Sequence, residues 1–146
     1  MPSPTSALFG DALALARERW VSAMAAGLVE KGYPGYRRSD AYALRFLSSG
    51  PHALGAFAAP VGGSRQRARK VVTGLIKRGY ASLETDHVDA RRRQVHLTAK
   101  GHAYAEAVIQ TLGALNRAVA ERVTSSDLAA AMRVLAFVKD EFTPVA

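Results

Sequence analysis

Between Ser64 and His102 the chain carries Arg65, Arg67, Arg69, Lys70, Lys77, Arg78, Arg91, Arg92, Arg93 and Lys100 against only Glu84, Asp86 and Asp89. Seven of the eight net positive charges therefore lie in this one stretch. A cationic surplus packed into a short segment is what a polyanion-binding face needs. The charges form two groups. At about 100° per residue, the segment from Ser64 to Arg78 gathers Ala68, Val71, Val72, Leu75 and Ile76 on one side of a helix. Gln66, Lys70, Thr73 and Lys77 then point away from the core, with Arg65, Arg67, Arg69 and Gly74 on the shoulders. Glutamine can bond two atoms of an adenine edge, arginine or lysine can bond guanine, and the surrounding cations hold phosphates whatever the sequence. Ser64 is placed to cap that helix, whose N-terminus is itself a favourable phosphate contact.

The second group, Arg91, Arg92 and Arg93, follows a turn containing Asp86 and Asp89. Strand alternation puts Arg91 and Arg93 on one face and Arg92 on the other. Arg91 is the residue expected to enter a narrow minor groove. Asp86 and Asp89 are expected to shape the turn through bonds to backbone or to a neighbouring arginine.

Other chemistries find no support. His52, His87, His96 and His102 lack the H-x-x-x-H pairing that metal sites favour on a helix. There is no G-x-S-x-G elbow, and Gly62-Gly63-Ser64 lacks the lysine of a phosphate-binding P-loop. With no cysteine, disulfides, thiol sensing and Cys-ligated zinc drop out together. No catalytic residue, metal ligand or cofactor is expected.

These residues must be positioned by a mainly helical scaffold. The 146 residues, 49% apolar, fit one domain with a real core. Charges interrupt every apolar run before membrane-spanning length, and the start lacks the basic n-region of a signal peptide; a cytoplasmic protein is expected. Phe9, Leu13, Ala16, Trp20, Met24 and Leu28 recur at helical steps, predicting a long helix over 6–31 that stops at Gly32-Tyr33-Pro34-Gly35. Ser39 or Asp40 offers the N-cap of a second helix ending at Ser48-Ser49-Gly50-Pro51. A short third helix is expected over 53–61, then the 64–78 helix, with Gly62-Gly63 supplying the turn between them. After Gly79 the period changes, and Tyr80, Ser82, Glu84, then Val95 and Leu97, predict a β-hairpin. Thr98 is placed to cap a helix running to about Val123, with Tyr104, Val108, Leu112, Leu115, Val119 and Val123 on one stripe. A last helix begins at Ser125 or Ser126 and carries Leu128, Met132, Leu135, Val138 and Phe142.

Three linked stretches in register, Leu75-Ile76-Lys77-Arg78-Gly79-Tyr80, Asp86-His87-Val88-Asp89-Ala90-Arg91 and Leu97-Thr98-Ala99-Lys100-Gly101, resemble the multiple-antibiotic-resistance-regulator (MarR) family of winged helix-turn-helix repressors. They look like that family's recognition-helix end, its D-x-x-D-x-R wing signature and the L-T-x-K-G opening of the next helix. Gly62-x-Ser64-Arg65-Gln66 is similar to its helix-turn-helix joint. Two positions depart: Pro60 stands where the motif's first helix usually has a helix former, and Gly63 where an apolar residue is commoner. Both are expected to loosen the turn.

The resemblance implies a mainly α fold with a small β-hairpin wing. Residues 39–97 would form the winged helix-turn-helix, flanked by an N-terminal helix (1–38) and C-terminal helices (98–146) that dimerise. It implies a homodimer placing two recognition helices in successive major grooves of a pseudo-palindromic double-stranded DNA site, with repression as the expected outcome. It also implies release by a small phenolic or lipophilic effector, for which Trp20, Tyr33 and Tyr36 are the candidate pocket residues. The alternative is a non-specific, architectural DNA binder that uses the same cations without base readout.

Overall fold

The computed structural model describes residues 8–57, 65–85, 88 and 93–142. Helix α1 spans Phe9–Glu30, α2 Asp40–Ser48, α3 Arg65–Lys77, α4 Ala99–Arg122 and α5 Ser125–Glu141. Strands β1 (His52–Ala53), β2 (Ala81–Thr85) and β3 (Arg93–Leu97) form an antiparallel sheet in the order β1-β3-β2. The chain divides into two compact units, Met1–Thr111 and Leu112–Ala146. Among the described residues no helix is long and apolar enough to cross a membrane.

The core of the first unit is built from Leu28, Leu44, Leu47, Phe57, Leu75, Val95 and Val108, all buried. Gly27 lets α1 approach α4, because a Cβ there would lie 2.7 Å from Thr111 Cγ2. In the sheet, Ala81 pairs with Leu97 and Leu83 with Val95, which turns these apolar residues to one face.

Two helix ends share one device. After α1, Gly32 adopts φ +91°, its N–H donates to the Val29 carbonyl at 3.0 Å, and the Tyr33 N–H donates to Leu28 at 2.8 Å. After α3, Gly79 adopts φ +83°, with Gly79 N–H to Ile76 at 3.0 Å and Tyr80 N–H to Leu75 at 2.9 Å. This is the Schellman pattern, and the left-handed residue it requires is why glycine stands at both positions. Each also delivers a tyrosine to the same place. Tyr33 and Tyr80 flank Tyr104 of α4, with ring centroids 4.8 and 4.4 Å away.

Thr98 caps α4 as expected: its Oγ1 accepts from the Gly101 N–H at 3.0 Å while its hydroxyl donates to the Gly79 carbonyl at 2.6 Å. The α3 boundaries and the hairpin also follow the sequence pattern. Two expectations are corrected. The helix anticipated from Ala53 is absent from its start, where His52 and Ala53 pair with Val95 and Gln94 and Leu54–Phe57 makes a 3₁₀ turn. Gly50 (φ +140°), Pro51 and Gly55 disfavour a helix there. The free edge of β3 instead supplies backbone partners, which a single helical turn cannot match. The rest of that span, with Pro60, and the Gly62-Gly63 joint lie outside the described residues. The second correction is Asp40. It begins α2 but caps nothing in the ordinary sense: Ser39 makes no side-chain cap bond, and the Asp40 carboxylate turns inward, 1% exposed.

Candidate nucleic-acid interface

Helix α3 forms because a buried row and a charged row recur at helical spacing. Ala68, Val72 and Leu75 are buried and Val71 and Ile76 half-buried, so Gln66, Lys70, Thr73 and Lys77 are left exposed on the opposite face. Arg65, Arg67 and Arg69 are exposed beside them. The helix thus offers one glutamine, one threonine and five cations to whatever lies in front of it. That is a donor-rich, positively charged ridge the width of one helix, the shape and charge a major groove accommodates. Ser64 lies outside the described residues.

Among the clustered cations, Arg78 and Lys100 do other work. Arg78, at the end of α3, donates through Nη1 to Asp40 Oδ2 at 2.8 Å and through Nη2 to Oδ1 at 2.7 Å. The Tyr104 hydroxyl donates to Oδ2 at 2.8 Å and the Arg37 N–H at 3.2 Å. Asp40 therefore ties the C-terminal end of α3, the start of α2 and the N-terminal part of α4 into one junction. The bond to Asp40 raises the Arg78 guanidinium's proton affinity. Burial first, and the Asp40 bond second, push the Tyr104 phenol well above the usual tyrosine range. Lys100 donates through Nζ to the Arg78 carbonyl at 3.0 Å and stands 4.8 Å from the Tyr80 ring centre. Its charge completes the C-terminus of α3. Arg78 and Lys100 thus hold α3 in place rather than project from it. Sequence reasoning misses Asp40 because its partners lie 38 and 64 residues away.

In the hairpin, Arg93 is exposed opposite Thr85 at the tip end of β3. Glu84 Oε1 sits 3.5 Å from His96 Nε2. Arg91, Arg92, Asp86 and Asp89 lie outside the described residues.

Of the three aromatic residues proposed for an effector, Tyr33 and Tyr36 share one turn, the Tyr36 N–H donating to the Tyr33 carbonyl at 3.3 Å. Tyr33 is stacked on Tyr104 at an interplanar angle of 21°. Tyr36 is half-buried, its phenol raised by burial and then by the Asp40 charge. Trp20 is half-buried on α1 and makes no ring contact with either among the described residues. A cleft of about 650 Å³ lies elsewhere, lined by Leu54, Gly55, Arg65, Gln66 and Arg69.

No protein-family model matches the chain, and no curated protein sequence does. Solved structures match almost its whole length. A MarR family transcriptional regulator from Silicibacter pomeroyi has 21% identity and a TM-score of 0.69, over 97% of this chain and 95% of that one. The fold is that of the MarR-family regulators. Bordetella bronchiseptica BpsR, whose DNA binding is regulated by 6-hydroxynicotinic acid, gives a TM-score of 0.73 at 18% identity, over 96% of this chain and 99% of its own. The transcriptional repressor CouR, solved bound to a 23-mer DNA duplex, also gives 0.73, at 20% identity, over 92% of this chain and 94% of its own. In MarR-fold terms, α3 is the second helix of the helix-turn-helix, and β2 and β3 are the strands of the wing.

Proposed function

We propose that this chain is a DNA-binding transcriptional regulator of MarR type. The observation that carries the proposal is α3: a helix anchored at its far end by a part-buried ion pair and exposing Gln66, Lys70, Thr73 and Lys77 in one row. That row fits the major groove, with Gln66 and Lys70 reading base edges and Arg65, Arg67 and Arg69 contacting phosphates. Arg91 of the wing enters the adjoining minor groove and Arg92 and Arg93 add DNA contacts beside it, with Asp86 and Asp89 shaping the tip. That CouR, of the same fold, binds a DNA duplex supports the reading.

The protein acts as a homodimer on a pseudo-palindromic operator, with half-sites about one helical turn apart, and it represses. Residues 39–97 bind DNA, and the helices of 1–38 and 98–146 dimerise. Unburied apolar side chains support this. Helix α5 buries none of its residues and leaves Met132, Leu135, Phe137 and neighbouring Phe142 exposed, the last at 70%. Helix α1 buries only Met24 and Leu28 and exposes Phe9 and Leu15. Apolar helix faces of this extent belong against a partner. A phenolic or lipophilic ligand near Trp20, Tyr33 and Tyr36 releases the DNA, a role that the regulation of BpsR by 6-hydroxynicotinic acid supports by analogy of fold.

The test is selection from a random duplex pool at near-physiological salt, followed by sequencing of the bound fraction. Enrichment of an inverted repeat is expected. Salt-sensitive binding without enrichment would instead establish a non-specific, architectural binder, and absence of binding even at low salt would refute DNA recognition altogether.

A further inference from the structure

We infer that Arg37, from the α1–α2 connection outside the helix-turn-helix and wing, is a DNA phosphate contact forming the second bank of the recognition-helix groove. The inference rests on the DNA-binding reading above. Arg37 Nη1 lies 3.5 Å from where a Gly74 Cβ would stand, so the guanidinium lies across α3 at the one position on that shoulder with no side chain. Arg37, Gln66, Arg69, Lys70, Gly74 and Lys77 line one trough of about 630 Å³ along the exposed face. The trough therefore has cations on both sides of its base-reading row: Arg69 on one shoulder and Arg37 on the other.

The backbone of Arg37 is held at both ends. Its N–H donates to Asp40 Oδ2 at 3.2 Å, and its carbonyl accepts from the Asp40 N–H at 2.9 Å. The same carboxylate grips Arg78 and Tyr104, so Arg37 is fixed relative to α3 by the junction that fixes α3 itself. Asp40 is saturated by these donors, and the Arg37 guanidinium makes no ion pair among the described residues. An anchored, exposed and unpaired guanidinium beside a base-reading helix suits bidentate recognition of a phosphate. Such a contact carries no sequence information and sets the angle at which α3 enters the groove.

The experiment measures binding to a duplex of about three helical turns as a function of salt, for the parent, Arg37→Ala, Arg37→Lys and Arg69→Ala. Losing one phosphate contact reduces the slope of log K against log salt by about one unit and weakens binding roughly eightfold near 0.1 M salt. Arg37→Ala is expected to do this equally for selected and random duplexes, and Arg37→Lys to restore the slope. Thermal melts of the variants should match the parent, because the Asp40 bonds use only the Arg37 backbone. An unchanged slope in Arg37→Ala, with the slope lowered in Arg69→Ala, overturns the role of Arg37 and leaves the DNA reading standing. Absence of salt-dependent binding by the parent overturns both.

Discussion

Replacing Asp40 by asparagine tests whether the junction behind α3 holds the domain together. The change keeps the volume of a side chain that is 1% exposed and removes its charge. Asp40 now accepts from Arg78 Nη1 and Nη2, from the Tyr104 hydroxyl and from the Arg37 N–H. An amide oxygen placed at the Oδ2 position keeps three of these donors, but its NH₂ then faces Arg78 Nη2, donor against donor. Flipping the amide loses the other three. Breaking a buried pair from one side costs about 3–5 kcal/mol. Arg78 is 23% exposed, so its freed guanidinium reaches water and the cost belongs at the low end, about 3 kcal/mol. For a chain of this length that lowers the melting temperature by about 10 °C. The assay is a thermal melt of parent, Asp40→Asn, Arg78→Met and the double variant. The two single costs should be coupled by at least about 1 kcal/mol, since each removes what the other was paired with. A shift below about 2 °C for Asp40→Asn, or additive costs, would refute the reasoning.

Arg78→Met is expected to lower the melting temperature while leaving the salt slope of DNA binding unchanged, whereas Gln66→Ala should leave both unchanged and relax base preference in a selection from random duplexes. Gly101→Ala is expected to cost about 3 kcal/mol in urea unfolding, because a Cβ there meets the Tyr80 carbonyl, which is held by the Thr98 N–H at 3.1 Å; a parent-like midpoint would show that this approach can relax. Tyr104 keeps its proton in the folded state above the usual tyrosine value near 10 and loses it when unfolded. Its share of stability is therefore intact below about pH 10 and falls by up to about 1.4 kcal/mol per pH unit above it. Tyr104→Phe should lack that added alkaline slope, and parallel stability curves for the two proteins above pH 10 would count against the buried phenol.

Elements whose causes are local could be read from the chain. The limits of α3 follow from alternating apolar and charged rows ended by Gly79. The start of α4 follows from Thr98, which comes directly after β3 ends at Leu97 and whose Oγ1 accepts from the Gly101 N–H. Strand β1 was hidden because two residues carry no period, and its partner lies more than 40 positions along the chain. Asp40 was hidden differently. An acidic residue opening a helix already has a sufficient local explanation in the helix dipole, and that explanation masks a remote one.

The same distinction governs the cationic face. Clustering in sequence identifies a surface suited to a polyanion, but the fold decides which cations stand on it. Arg78 and Lys100 belong to the cluster by position, yet their bonds to Asp40 and to the Arg78 carbonyl commit them to holding α3. Arg37 lies outside the cluster, beyond the boundary at residue 39, yet reaches the edge of α3 over Gly74. One carboxylate accounts for both reassignments. By binding the Arg78 side chain and the Arg37 backbone, Asp40 withdraws one guanidinium from the groove and fixes the base of another beside it. Stability of the junction and geometry of the face are thus set by the same side chain, and substitutions at Arg78 and Arg37 separate the two: the first acts on folding, the second on the phosphate contact.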